Sequence, residues 1–195
     1  MKSRFDKTYW ENKYLNNKTG WDIGYISTPI KEYTNQLKDK NISILIPGAG
    51  NGHEVEYLYH QGFKNITVID IAEIPLKNLA EKIPDFPKEN LINQDFFDHK
   101  NTYDLIIEQT FFCALDPHFR SNYVTKMKSL LKEGGKLTGL LFNFELTNEG
   151  PPFGGSKEEY LTLFSKLFNI KTLEKSHNSI KPRKEREFFF IFERK

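Results

Sequence analysis

Short, mostly apolar runs recur along the chain, and stretches with a helical period separate them. Four such runs span 42–46, 66–69, 91–93 and 103–107. Their lengths are typical of buried strands, and the stretches between them place apolar residues three or four positions apart. Strands that alternate with helices predict an α/β fold, Rossmann-like and doubly wound, whose mostly parallel sheet carries helices on both faces.

The second half of the chain extends the prediction to a seven-stranded sheet. A fifth strand is expected at 136–142, and the last two, at 170–173 and 187–192, are predicted to form an antiparallel pair. The run Phe188–Phe192 is apolar on both faces, which is typical of a strand inside a sheet. Local signals for helix ends are Thr28-Pro29, Asp116-Pro117 and the capping box of Ser156 with Glu159 for starts, and Gly134-Gly135 for a stop.

The turn after the first strand has glycine at every second position, at Gly48, Gly50 and Gly52. Glycines there allow a tight turn and let backbone N–H groups approach a ligand closely. Asp70 ends the second strand 20 residues after Gly50, a spacing at which a carboxylate accepts hydrogen bonds from a ribose. Because the turn lacks the third glycine of the dinucleotide pattern, a ligand with a ribose and without a pyrophosphate is favoured. A glycine turn that merely reverses the chain is the alternative.

Residues just past the first four strands form one candidate ligand site, since ligands of such sheets bind beyond the carboxyl ends of the strands. Asp70 would bind the ribose hydroxyls, and Asp95 would accept a hydrogen bond from the adenine amino group. Ile71 and Phe96 would enclose the ring, and Gln109 follows the fourth strand. The alternative for Asp95 is a cap on a local turn.

Composition narrows the class of protein. A chain of 195 residues, 38% hydrophobic and 28% charged, predicts one soluble domain over 1–195. A formal net charge of +2 argues against nucleic acid as a partner. The lone Cys113 excludes an internal disulfide and fits a reducing compartment. The chain shows neither a membrane-spanning run nor a signal-peptide core nor a Cys/His metal cluster, so a cytoplasmic protein without a metal is expected.

Large aromatic residues are dense in the segment 5–27, before the first strand. Tyr9, Trp10 and Tyr14 lie at helical spacing, and Trp21 follows the loop that ends this helix. Two interpretations stay open, because aromatic side chains serve both equally well. The segment either caps the end of the core or covers a bound cofactor as a lid.

Motifs spread along the whole chain resemble the thiopurine S-methyltransferase family, including its branch of thiol, thiocyanate and halide methyltransferases, among the class I enzymes that use S-adenosylmethionine. The stretches that carry the resemblance are Tyr9–Tyr14 with Thr19–Gly24, Ile46–Glu54, Thr110–Arg120 and Gly150–Phe153. The Phe-Phe-Cys-Ala and Pro-Pro-Phe stretches are more similar to the thiol and halide branch than to the animal thiopurine enzymes. The halide branch often has tyrosine where this chain has Gln109.

The resemblance implies S-adenosylmethionine as cofactor and methyl transfer to a small soft nucleophile, namely a thiol, a thiopurine, thiocyanate or a halide. It further implies that Trp10 and Trp21 close over the cofactor and the substrate pocket, with Tyr14 beside them, which makes 1–27 a lid. Arg120, in the helix after the fourth strand, is implied to be catalytic together with Trp21.

Methyl transfer to a soft anion is an in-line displacement that needs alignment and exclusion of water rather than a strong base. Phe111, Phe112 and Phe153 would form an apolar acceptor pocket, and aromatic faces favour a sulfonium cation. Arg120 would orient an anionic acceptor or lower the pKa of a thiol. The alternative for Arg120 is a surface ion pair on a helix.

Three other functions stay open from the sequence. The first is methyl transfer to another small molecule. The second is methylation of nucleic acid, although such enzymes carry an Asp/Asn-Pro-Pro-aromatic motif where this chain has Glu108-Gln-Thr-Phe111. The third is a non-catalytic regulator that binds S-adenosylmethionine, since a fold does not fix function. We expect a monomer that acts on a small-molecule acceptor, without nucleic acid or membrane as a partner.

Overall fold

The computed structural model describes residues 4–195, so the first three residues of the predicted lid segment 1–27 lie outside the described part of the chain. The helices are α1 (Lys7–Leu15), α2 (Thr28–Asn35), α3 (His53–His60), α4 (Ile74–Lys82), α5 (Arg120–Ser129) and α6 (Lys157–Phe164). The strands are β1 (Ile44–Pro47), β2 (Ile66–Asp70), β3 (Leu91–Asn93), β4 (Tyr103–Gln109), β5 (Leu131–Phe142), β6 (Phe168–Lys175) and β7 (Glu187–Arg194).

The strands form a seven-stranded sheet in the order β3-β2-β1-β4-β5-β7-β6. β2 runs parallel to β1 and to β3, and β4 runs parallel to β5. β7 is antiparallel to both of its neighbours, β5 and β6. The predicted sheet, mostly parallel with an antiparallel last strand, is confirmed.

The chain divides into two compact units, and the first extends to His99. Its core holds side chains from β1, β2 and α3, among them Ile44, Val68 and Leu58, which are fully buried. α2 begins one residue earlier than the sequence suggested. Ser27 is its N-cap, without a side-chain capping bond, so the prediction of Thr28 as the cap is wrong. Pro29 still lies in the first turn, where its missing N–H leaves no hydrogen bond unmade.

The second unit begins at Lys100, and its strands differ from the expected ones at one end. β5 starts at Leu131, so Gly134-Gly135 lies inside the strand and not at the end of a helix, and that prediction is wrong. The register between β4 and β5 shifts here, and Gly134 has φ +68°. Glycine suits such a bulge, because the irregular residue takes a left-handed conformation.

β7 lies inside the sheet, as the apolar run predicted. Phe188, Phe190 and Phe192 are all buried, and β7 pairs along its length with β5 on one side and β6 on the other. The capping box at α6 forms only in part. Ser156 Oγ accepts the N–H of Glu159 at 3.2 Å, but the carboxylate of Glu159 turns to Arg120.

Candidate functional site

The glycine turn of the first unit has the left-handed backbone that its sequence predicts. Gly48, Gly50 and Gly52 have φ of +76°, +53° and +71°. At position 52 a side chain would be strained by the positive φ and would also force Leu79 to shift, because an added Cβ would lie 2.4 Å from its Cδ1. The Gly52 N–H donates to the Ala49 carbonyl at 2.9 Å and closes the turn. The turn therefore needs these glycines for its backbone shape, and α3 starts directly from it.

Asp70, the last residue of β2, is bonded directly to this turn. Its Oδ2 accepts the N–H of Ala49 at 2.8 Å, and its Oδ1 accepts the N–H of Ala72 at 2.8 Å. Burial raises the pKa of Asp70 to about 6, with a further upward contribution from Glu11, while the backbone hydrogen bonds oppose the rise. The carboxylate is thus ionised at neutral pH and is the kind of acceptor that ribose hydroxyls need.

The aromatic residues of the N-terminal segment gather beside the glycine turn. The ring of Trp21 makes edge contacts with those of Trp10 and Tyr14, both with centroids 5.6 Å apart. Nε1 of Trp21 lies 4.0 Å from the point that a Cβ on Gly50 would occupy. Burial and then the negative charge of Asp70 raise the pKa of Tyr14. The structure thus brings five predicted cofactor residues of the first unit close to one another.

Asp22 is a residue of this cluster that sequence reasoning missed. Its Oδ2 accepts a hydrogen bond from the side chain of Asn51, and its Oδ1 lies 2.8 Å from Nε2 of His53. Asn51 and His53 flank Gly52 in the glycine turn. The available signal was the position of Asp22, directly after Trp21 in a stretch that carries the family resemblance.

The predicted adenine contacts make mostly local interactions. Asp95 is exposed, and its Oδ1 accepts the N–H of Phe97 at 2.8 Å, so the local cap that was its alternative does form. Phe96 is 5% exposed and contacts the ring of Phe97. Ile71 is half-buried, and its carbonyl accepts from Asn93 Nδ2 at 3.0 Å. The enclosure of a purine by these residues stays a prediction.

Glu108 organises the predicted acceptor residues of the second unit. It is fully buried, and its Oε1 accepts the N–H groups of Phe111 and Phe112 at 2.8 and 2.9 Å. Its Oε2 accepts the hydroxyl of Tyr123 at 2.6 Å. Burial raises the pKa of Glu108 to about 7, against the effect of these bonds. Sequence reasoning placed Glu108 at the end of a strand without a role, because an isolated glutamate gives no sign of its burial.

The three predicted pocket phenylalanines differ in exposure. Phe112 and Phe153 are 2% and 1% exposed, whereas Phe111 is half-buried. The ring of Phe112 contacts that of Tyr123 at 4.9 Å, and the N–H of Phe153 donates to the carbonyl of Cys113 at 2.8 Å. These contacts hold the two stretches, 110–114 and 150–155, together within the second unit.

Gln109 is the last residue of β4 and is half-buried, paired with Leu140 of β5. It is followed by Thr110, which has φ of +58°. A threonine with positive φ is strained. The N–H groups of the two following residues, Phe111 and Phe112, donate to the carboxylate of Glu108 and hold this conformation. A cofactor contact for Gln109 stays a prediction.

Arg120 is buried, unlike the surface ion pair that was its alternative. It is 4% exposed, donates from Nη1 to the carboxylate of Glu159, and donates from Nη2 to the Gly154 carbonyl at 2.6 Å. Its guanidinium also lies 4.8 Å from the centroid of the Phe112 ring. Among residues 4–195, Nε of Arg120 is one of the buried polar atoms without a hydrogen-bond partner. Arg120 therefore connects the stretches that carry Phe112 and Phe153.

Within residues 4–195 none of the helices has the length and apolar character of a membrane-spanning helix. The same range contains no group of three or more His, Cys, Asp or Glu side chains placed to hold a metal ion.

Known proteins similar to this chain are methyltransferases. A probable thiol methyltransferase 2 of Arabidopsis thaliana is 28% identical over 184 residues, which cover 91% of this chain and 81% of that protein. Thiocyanate methyltransferase 1 of Brassica oleracea is 27% identical over 184 residues, with the same coverage of 91% and 81%.

A solved structure has the same fold. The 1,6-didemethyltoxoflavin-N1-methyltransferase of Burkholderia thailandensis, crystallised with bound 1,6-didemethyltoxoflavin and S-adenosylhomocysteine, superposes with a TM-score of 0.71 at 15% identity. The superposition covers 96% of this chain and 86% of that one.

The family model described as Thiopurine S-methyltransferase (TPMT) matches residues 5–194, almost the whole chain. This match and the relatives confirm the predicted family, the enzyme class, S-adenosylmethionine as cofactor, and methyl transfer to a small soft nucleophile. The chain belongs to the thiopurine S-methyltransferase family.

Proposed function

We propose that the protein transfers the methyl group of S-adenosylmethionine to a small sulfur nucleophile, a thiol or thiocyanate. The choice of an anionic or readily ionised acceptor rests on the state of the titratable side chains around Phe111, Phe112 and Phe153, and the choice of sulfur rests on the relatives named thiol and thiocyanate methyltransferases. Tyr123 and Cys113 are protonated, and the carboxylate of Glu108 is already occupied by hydrogen bonds from the protein. Such a pocket favours acceptors that are already anionic or that ionise readily near neutral pH.

Glu108 would have a suitable pKa for a general base, about 7. It is nevertheless fully buried, and its two oxygens already accept three hydrogen bonds. Burial also raises the pKa of the Tyr123 hydroxyl and of the Cys113 thiol, so both stay protonated at neutral pH. An alcohol or amine acceptor that must lose a proton during transfer is therefore a poor fit.

Residues of the first unit would hold the cofactor. Asp70 would accept the ribose hydroxyls, and Ile71, Asp95 and Phe96 keep the roles that the sequence predicts for them. Gln109 of the second unit keeps its predicted cofactor contact. The glycine turn would let the backbone approach the ligand. When bound, the cofactor supplies an electrophilic methyl group on a sulfonium.

The N-terminal segment would exclude water from the reacting groups. Trp10, Tyr14 and Trp21 form a continuous aromatic cluster beside Gly50, and their faces favour a sulfonium cation. This cluster supports the interpretation of 1–27 as a lid.

Arg120 would act on the acceptor in two ways. Its positive charge favours an anion, as the sequence predicts. Its bond to the Gly154 carbonyl also supports a positioning role, because Gly154 follows directly on Phe153. We further propose one domain over 1–195 that works as a monomer in the cytoplasm, on small molecules rather than on nucleic acid.

A turnover assay tests the acceptor. Purified protein and S-adenosylmethionine would be offered thiocyanate, bisulfide, an aromatic thiol, a thiopurine and iodide one at a time, and S-adenosylhomocysteine would be measured above the rate without acceptor. We expect the sulfur anions to give the highest kcat/KM. Preference for iodide, or turnover of an alcohol or amine alone, would contradict the proposal.

Trp21→Ala tests the role of the aromatic cluster. We expect turnover to fall about tenfold or more, since misplacement of the reacting groups is costly, while the affinity for S-adenosylhomocysteine changes less. Tyr25→Ala, at an exposed aromatic of the same segment, is the matched control. Equal turnover in Trp21→Ala and in this control would remove Trp21 from the site.

A further inference from the structure

Two consecutive residues of the N-terminal segment reach the glycine turn at different points. Trp21 places its indole Nε1 beside Gly50, 4.0 Å from the position of an added Cβ. Asp22 bonds to the side chain of Asn51 and lies 2.8 Å from Nε2 of His53. The dipeptide is therefore attached to the turn both before and after Gly52.

The carboxylate of Asp22 is held in its charged form by its partners. Burial tends to raise its pKa, but hydrogen bonds from the Gly24 N–H, Asn51 and His53 together lower it. Because a carboxylate only accepts, the ring proton of His53 lies on Nε2. Lys82 Nζ lies 3.3 Å from the other ring nitrogen, Nδ1, which accepts from it.

A simple turn-forming role does not account for these contacts. Asp39 shows what such a role requires, since its Oδ1 accepts the N–H of Asn41, two residues on, at 2.9 Å. Asp22 makes the equivalent bond to Gly24, at 2.8 Å. It adds two side-chain partners, Asn51 and His53, that are 29 and 31 residues away. These long-range bonds are the ones that a local turn does not need.

We propose that Asp22 is a positioning residue that fixes the indole of Trp21 over the glycine turn through Asn51 and His53. The inference rests on the proposed function, in which Trp21 covers the cofactor. Asp22 itself touches neither cofactor nor acceptor in this role. Its effect on turnover passes through Trp21, so the loss of either residue should produce the same defect.

Fluorescence tests the proposal without any ligand. The chain has two tryptophans, so Trp10→Phe leaves Trp21 as the only one and serves as the parent. We expect Asp22→Ala in this parent to raise the acrylamide quenching constant of Trp21 about twofold, because local opening exposes the ring. Asp22→Asn, which keeps an acceptor, should restore at least half of the protection. Asp39→Ala, which loses only a local turn, should leave quenching unchanged.

A double-mutant cycle connects this position to catalysis. With the best acceptor of the turnover assay, Asp22→Ala should lower kcat about as much as Trp21→Ala, and the double variant should be no worse than Trp21→Ala alone. Additive losses would overturn the proposal, as would unchanged quenching in Asp22→Ala. Melting temperatures of all variants show whether a loss reflects unfolding instead.

Failure of the proposed function would look different. If the unmodified protein does not bind S-adenosylhomocysteine by calorimetry, the cofactor role of Trp21 fails, while the quenching result still decides whether Asp22 positions the indole. If binding and turnover are normal and quenching does not respond to Asp22→Ala, the positioning role alone is wrong.

Discussion

Two carboxylates, one in each unit, have nearly the same local hydrogen bonding. Asp70 lies at the end of β2 and Glu108 near the end of β4. Each accepts two backbone N–H groups at 2.8 to 2.9 Å. Burial raises the pKa of both, to about 6 for Asp70 and about 7 for Glu108.

The surroundings of the two side chains differ. The hydroxyl of Tyr123 donates to Oε2 of Glu108, and Glu108 is 0% exposed. Asp70 is half-buried and bonded to the backbone of the glycine turn through the Ala49 N–H. Strand-end position and backbone hydrogen bonds alone therefore do not distinguish the carboxylate that we propose binds the cofactor from one that only supports the fold. Oε2 of Glu108 accepts a protein hydroxyl, whereas each oxygen of Asp70 accepts one backbone N–H, and the proposed function assigns the ribose hydroxyls to the remaining lone pairs of Asp70.

The largest effect is expected from Asp70→Ala. Loss of charge-assisted bonds to the ribose should weaken S-adenosylhomocysteine binding by about 100-fold or more. The affinity of Asp70→Asn, which keeps an acceptor oxygen, should lie between those of wild type and Asp70→Ala. Isothermal titration calorimetry measures the affinity, and the melting temperature monitors the turn that Asp70 supports. Unchanged affinity in a folded Asp70→Ala protein would refute the ribose assignment.

Glu108→Ala should act on stability rather than on cofactor binding. It leaves two N–H groups and the Tyr123 hydroxyl without their acceptor, which should cost about 2–4 kcal/mol of unfolding free energy. Urea unfolding measures this change. We expect the folded fraction of Glu108→Ala to bind S-adenosylhomocysteine with the affinity of wild type. A 100-fold loss of affinity in the folded fraction would show that Glu108 also supports cofactor binding, as is proposed for Asp70.

Glu108→Gln sharpens the same contrast through pH. The raised pKa of Glu108 means that the folded state binds a proton more tightly than the unfolded state, so this carboxyl lowers stability as pH rises from about 4.5 to about 7. Glutamine keeps an acceptor and cannot ionise. Relative to wild type, Glu108→Gln should therefore gain about 2 kcal/mol between pH 5 and pH 8. A pH-independent difference would show that Glu108 does not titrate in this range.

The smallest effect is the pH dependence of cofactor affinity. Asp70 must be ionised to accept two hydroxyl donors, and its pKa is about 6. S-adenosylhomocysteine affinity should therefore fall about tenfold from pH 7.5 to pH 5, and calorimetry at both values measures it. Asp70→Asn should abolish most of this dependence. An equally steep fall in that variant would assign the titration to another group.

The sequence predicted local features of the fold well. The glycine turn and Asp70 follow from spacing along one βαβ unit, and β7 follows from an uninterrupted apolar run. The start of β5 was wrong by five residues, because glycines that look like a helix end also fit a strand bulge.

Contacts between distant segments could not be predicted in this way. Asp22 meets Asn51 and His53 only after the chain folds, and no periodicity connects them. The same holds for Arg120, whose burial depends on Glu159 and Gly154, 39 and 34 residues later. A resemblance can mark such residues as notable, but their partners depend on tertiary packing.

The position of β7 determines when the sheet can be completed during synthesis of the chain. β7 follows β6 in the chain yet lies between β5 and β6, so the hydrogen bonds of both neighbours on that side wait for residues 187–194. Until those residues are synthesised, nascent β5 and β6 present open edges, which are prone to pairing with other chains. Translation that stalls between β6 and β7 should thus yield an aggregation-prone nascent chain.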